Sequence, residues 1–135
     1  MQHQKPLPLP TPETRPFWEG AHHHTLLLPR CRDCRRFHFY PRAFCPHCLS
    51  PNLEWRQASG RGTLYAYGIN HRPAPGFEAD VPYVIALVEL EEGPRMVTNL
   101  VDVDPEPDRL RIGLPVEVVF EDVTATITLP KFRLR

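Results

Sequence analysis

Past Pro51 the chain alternates apolar and polar residues with a period of two, broken by turn-forming residues. This pattern predicts strands over 53–58, 62–71, 83–91, 95–101, 116–121 and 124–132. In TLYAYGIN, Leu64, Ala66 and Gly68 alternate with Tyr65, Tyr67 and Ile69, so both faces of that strand are apolar enough to be covered. VIALVEL is almost continuously apolar and reads as a central strand buried on both sides. RPAPGFEADVP and DVDPEPDRL are too rich in proline for regular structure and read as loops. Five or six short strands in so little chain favour a small closed barrel, because closure removes exposed edges.

The chain before the strands follows another pattern. MQHQKPLPLPTP alternates proline with leucine and reads as an extended arm, free or laid on a surface. A short helix is expected from Thr14, which can cap it, with Pro16 in the first turn and Phe17, Trp18 and Ala21 following. Gly20 and the run His22, His23, His24 keep that helix short.

Composition narrows the class. Seventeen prolines in 135 residues argue against long helices, since each interior proline removes a hydrogen bond and clashes with the preceding turn. Leu, Ile, Val and Phe supply 36 residues, enough for a modest core and too many for a disordered chain. Sixteen basic residues balance sixteen acidic ones, so the whole chain lacks the basic field of most nucleic-acid binders. The balance is uneven: residues 1–60 hold eight basic and four acidic side chains, residues 61–135 eight and twelve. No apolar run is long enough to span a membrane, and the polar, proline-rich start lacks a signal-peptide core, so a cytoplasmic protein is expected.

The four cysteines form two pairs, Cys31-x-x-Cys34 and Cys45-x-x-Cys48, ten residues apart. Each pair can set two thiolates on one side of a tight knuckle, and a hairpin between them brings four sulfurs around one Zn²⁺. Disulfides would require an oxidising compartment, and a redox dithiol normally uses a single pair. A rubredoxin-like iron site has the same ligand set and stays open. Four sulfurs leave no position for water or substrate, so the metal is expected to be structural. Arg30, Arg32, Arg35, Arg36 and Arg42 surround the knuckles, interleaved with Phe37, Phe39 and Tyr40. They either offset the negative charge of a tetrathiolate centre or form a cationic, aromatic surface for a phosphate and a purine ring.

The order of these features resembles the DUF35 family of zinc-ribbon, OB-fold proteins associated with acyl-CoA metabolism. The resemblance is carried by RPFWEGA, CRDC, CPHC, LEWRQASGRGTLYAYG, PYVIALVELEEGPRMVTNL, IGLPVEVVFED and LPKFR, and extends from about Thr14 to Arg133. It implies a mainly β protein: an arm and short helix over 1–28, a rubredoxin-like zinc ribbon over 29–52 and a five-stranded OB-fold barrel over 53–135. It also implies that Cys31, Cys34, Cys45 and Cys48 are the metal ligands. One departure stands out: many ribbons place glycine after the second cysteine of each knuckle, where Arg35 and Leu49 stand here.

The resemblance further implies an accessory subunit beside a thiolase-like enzyme or a MaoC-type hydratase, helping to bind or pass an acyl-CoA. The residues agree in lacking a G-x-S-x-G elbow, a P-loop or a G-x-G-x-x-G turn, and no cysteine is left over as a nucleophile. Arg36, Phe39, Tyr40 and Pro41 are the candidates for acyl-CoA contact, and Phe17 and Trp18 for partner docking. The alternative is a single-stranded nucleic-acid module, favoured by the basic-aromatic stretch 30–42 and opposed by the acidic second half. An independent enzyme would have to rely on loop acids such as Asp80, Asp102 and Asp104, which solvated turns explain better.

Overall fold

The computed structural model describes residues 5–135; the first four positions of the expected arm lie outside the described residues. It holds one helix, α1 (Arg15–His22), and seven strands: β1 (Leu27–Cys31), β2 (Leu53–Gln57), β3 (Arg61–Asn70), β4 (Tyr83–Leu90), β5 (Arg95–Val101), β6 (Pro115–Asp122) and β7 (Thr128–Leu134). A 3₁₀ turn, Pro107–Arg109, sits in the second proline-rich loop. No helix among the described residues is long and apolar enough to cross a membrane.

Five strands close into a barrel in the order β3-β4-β5-β7-β6, with β6 returning to β3, as expected of an OB-fold. Alternation decides what lies inside. On β4, Val84, Ala86, Val88 and Leu90 face inward with Leu64, Met96, Leu100, Val116 and Phe132. The same strand corrects the expectation of burial on both sides: Ile85 is 42% exposed, so its apolar outer face is only partly covered. A bulge at Tyr65 shifts the β3–β4 register between Leu64 and Ala66, the kind of irregularity that lets a strand bend around a barrel. At Gly62 a side chain would run into the Glu89 carbonyl across the ladder, so glycine permits that close approach.

Two other local expectations change. Thr14 does not cap α1; its hydroxyl accepts the Thr11 N–H at 2.8 Å and closes a turn ahead of the helix. The last strand begins at Thr128, not Thr124, because the Thr124 hydroxyl accepts the Thr126 and Ile127 amides (3.2 and 3.0 Å) and holds a turn there.

β1 and β2 form a separate two-stranded sheet that carries the cysteine knuckles. It is not detached from the barrel. Leu26, Leu28 and Ala58 share one buried cluster with Phe17 of α1 and the barrel interior, and the Ala58 amide donates to the Leu26 carbonyl at 2.8 Å. The apolar face of α1 packs Phe17, Gly20 and Ala21 against this junction. The ribbon is thereby set beside the turn between β4 and β5, where Glu92 and Arg95 face it.

Candidate metal centre and adjoining groove

The knuckles repeat one backbone device. The Arg35 amide donates to the Cys31 carbonyl and the Leu49 amide to the Cys45 carbonyl, both at 2.8 Å. Closing each turn puts Arg35 at φ 63° and Leu49 at φ 65°, the left-handed region that glycine adopts without cost. The departures noted in the sequence therefore keep the glycine conformation. Backbone amides point at the sulfurs: Cys34 N–H to Cys31 Sγ and His47 N–H to Cys45 Sγ, each 3.4 Å. The Ser50 hydroxyl donates to the Asp33 carboxylate and ties one knuckle to the other.

The four sulfurs lie within 4.8 Å of one another, with Cys31–Cys48 at 3.5 Å and Cys34–Cys45 at 3.6 Å. A tetrahedral ion with sulfur ligands about 2.3 Å away has sulfur–sulfur edges of about 3.8 Å, so the cluster fits a structural metal ion. The Cys31 thiol is held down to about 7, first by the Cys34 amide. Cys48 is pushed up to about 12: the Ser50 amide favours its thiolate, but burial and the three neighbouring sulfurs outweigh it. A bound cation would draw the protons off all four thiols together.

The arginines around the centre divide into two sets. Arg30, Arg32 and Arg56 converge on Glu54, with nitrogen–oxygen distances of 3.0, 3.5 and 3.1 Å. The Arg30 hydrogen bond, above all, holds the Glu54 carboxyl below its usual range. Arg35, Arg36 and Arg42 face the other way, where the barrel contributes Arg95, and line a cleft of about 680 Å³. Among the described residues none of these four guanidiniums has a carboxylate within ion-pair distance. Arg95 is held over the Tyr65 ring at 3.7 Å. Glu92 is the cleft's single acid, and its Oε2 accepts the Ser59 amide at 2.8 Å. His38 lies in the wall, 3% exposed, with both ring nitrogens unpartnered. Burial first, then His47 and Arg42, keep it below the ordinary histidine range, so it adds no charge at neutral pH.

A second groove, about 370 Å³, adjoins the first and shares Phe39 with it. It lies where the barrel seam is splayed: β5 and β7 pair only at Leu100–Phe132 and Val101–Arg133, leaving Met96 to Asn99 facing Leu129 to Lys131. Phe17 forms its floor, and Trp18 donates from Nε1 to the Tyr40 hydroxyl at 3.1 Å across its rim.

The candidates from the sequence fall into place unevenly. All four cysteines come together. Arg36 and Phe39 line the cleft, Phe39 and Tyr40 the apolar groove, while Pro41 is buried and lines neither. Phe17 is 1% exposed, which takes it off any docking face because it serves as core; Trp18 remains half-buried and reachable. Arg95, Glu92 and Met96 went unnoticed in the sequence. Alternation places Arg95 outward on its strand, but only the folded barrel brings it to the ribbon.

Residues 18–54 match the family described as ChsH2, rubredoxin-like zinc ribbon domain, and residues 55–121 the one described as ChsH2, C-terminal OB-fold domain. A DUF35 domain-containing scaffold protein of Methanocaldococcus jannaschii is 39% identical over 99 residues, 73% of this chain and 69% of that protein. The chain belongs to the DUF35 family. A second relative, the probable enoyl-CoA hydratase alpha subunit of Thermomonospora curvata, is 43% identical over 119 residues. That match takes in 87% of this DUF35 chain but 36% of the hydratase subunit, so the chain spans about a third of that relative. Among solved structures, the Ltp2-ChsH2(DUF35) aldolase aligns with a TM-score of 0.83 at 37% identity, covering 95% of this chain and 98% of that one.

Proposed function

We propose that this DUF35 chain is a non-catalytic accessory subunit of an acyl-CoA-processing enzyme, holding or passing the acyl-CoA and stabilising its partner. The partner would be thiolase-like, aldolase-like or a MaoC-type hydratase. The observation that carries the reading is the composite groove. Four guanidiniums without carboxylate partners line a cleft that neighbours an apolar groove across Phe39, an arrangement that suits a ligand with a polyphosphate head and an apolar tail. Relatives named as a scaffold protein and as a hydratase alpha subunit, and a structure named as an aldolase with a DUF35 component, support the same reading.

Cys31, Cys34, Cys45 and Cys48 would hold Zn²⁺, which cross-links the two knuckles and has no open coordination position. Every cysteine belongs to that cluster, leaving no thiol for thioester exchange. The reducing cytoplasm would keep those thiols available to the ion. A nucleic-acid role is disfavoured because basic and acidic residues balance at sixteen each and acids outnumber bases twelve to eight over residues 61–135, the barrel half of the chain.

The test is purification of the tagged full chain from its own cells. Recovery in fixed ratio with an acyl-CoA hydratase, aldolase or thiolase subunit, in a complex that binds acyl-CoA, is the expected result. A lone chain with no affinity for acyl-CoA overturns the proposal.

A further inference from the structure

The two neighbouring cavities differ sharply in charge, a difference that would orient a ligand spanning both. We infer that the phosphorylated nucleotide end sits in the ribbon–barrel cleft and that the acyl end is delivered at the mouth between α1 and β7. This inference rests on the acyl-CoA reading above.

The cleft brings Arg35, Arg36 and Arg42 from the ribbon and Arg95 from β5 around about 680 Å³, a volume within the range of nucleotide-sized sites. The neighbouring groove is lined by Phe17, Trp18, Met96, Val97 and Leu129, with Lys131 as its one cation. Lys131 is already engaged, its Nζ 2.5 Å from Glu121 Oε2. In the reversed orientation several phosphate charges would lose water against aromatic and aliphatic side chains with no free cation, and four guanidiniums would face an apolar tail. In the inferred one the phosphates meet the four guanidiniums, with Glu92, held through Oε2 by the Ser59 amide, as the one opposing charge in the cleft. The two are neighbours: Phe39 lines both, and β5 runs from Arg95 in the cleft to Met96 and Val97 in the groove.

The splayed seam suits the middle of such a ligand. Residues 96–99 form no backbone ladder with β7; the Thr98 hydroxyl donates across the seam to the Pro130 carbonyl at 3.2 Å, a polar contact beside which the amide groups of an extended arm can lie. The thioester then emerges beside Trp18, Tyr40 and Lys131, and the partner's reacting groups must be placed there.

The experiment measures equilibrium binding by the full-length, metal-loaded chain of two half-ligands, adenosine 3′,5′-bisphosphate and hexanoyl-pantetheine. The paired change Arg42→Ala with Arg95→Ala is expected to weaken the bisphosphate about tenfold or more and hexanoyl-pantetheine less than twofold. Val97 is 68% exposed, so Val97→Asn leaves the core intact and is expected to do the reverse, weakening hexanoyl-pantetheine by about threefold or more. Circular dichroism and the thermal midpoint verify that each variant is folded. Crossed effects, or full affinity for intact acyl-CoA in both variants, overturn the orientation while leaving the accessory role standing. A wild-type chain that binds neither half-ligand nor intact acyl-CoA overturns both.

Discussion

Leu49 offers a substitution whose sign runs against the usual rule. It closes the second knuckle at φ 65°, its side chain is 76% exposed, and its amide holds the Cys45 carbonyl at 2.8 Å. A side chain in the left-handed region costs about 1–2 kcal/mol, from the approach of Cβ to the backbone carbonyl. Glycine removes that cost and brings back about 0.5–1 kcal/mol of unfolded-state entropy. Little packing is lost, because Leu49 has little to lose. Leu49→Gly is therefore expected to stabilise the metal-loaded chain by about 0.5–1 kcal/mol, or about 2–6 °C in the thermal midpoint. Leu49→Ala keeps the Cβ and should leave the midpoint close to that of the parent. Thermal unfolding of the three proteins, followed by circular dichroism, reads the difference. A lowered midpoint for the glycine variant, or equal midpoints for glycine and alanine, would refute the idea that Cβ strain is stored in the knuckle. Arg35→Gly, at φ 63°, should relieve the same strain but remove one guanidinium from the cleft, raising stability while weakening anion binding.

Two further outcomes follow from the barrel and its edges. Phe132 is 0% exposed within the barrel core, so Phe132→Ala should destabilise by about 3–5 kcal/mol in denaturant titration; a loss under about 1 kcal/mol would contradict that placement. The Asp122 carboxyl is held below its usual range by the Thr128 hydroxyl (2.7 Å) and then by His24 (2.9 Å). A lowered folded pKa contributes stability above the ordinary aspartate range, lost as the pH falls through the lowered value. Asp122→Asn should accordingly flatten the acid limb of a stability–pH curve below about pH 4. An acid limb identical to the parent's would show that the contact contributes nothing.

The barrel strands were legible because alternation and turn residues are local signals. Residues 95–101 were read with the bounds the structure gives, and β3, β4 and β6 within a residue or so. β1 escaped because Pro29 interrupts LLPRC. In the fold Pro29 pairs opposite Trp55, and its carbonyl accepts the His38 amide at 3.2 Å, so the missing N–H is tolerated. The cysteine cluster was legible from spacing alone, since the x-x step dictates the knuckle. The cleft was only half legible. Arg36 and Phe39 lie next to the cysteines, but Arg95 and Glu92 reach them through barrel closure, a long-range event with no mark in the local pattern. Phe17 misled for a related reason: an aromatic residue on a short helix looks the same whether it serves as core or as contact.

Equilibrium dialysis of the metal-loaded chain against hexanoyl-CoA, with thioester quantified on both sides of the membrane, tests acyl-CoA binding most directly. Saturable uptake of one ligand per chain, with the thioester intact throughout, is the predicted result. No uptake, or loss of thioester in the presence of the chain alone, would contradict it.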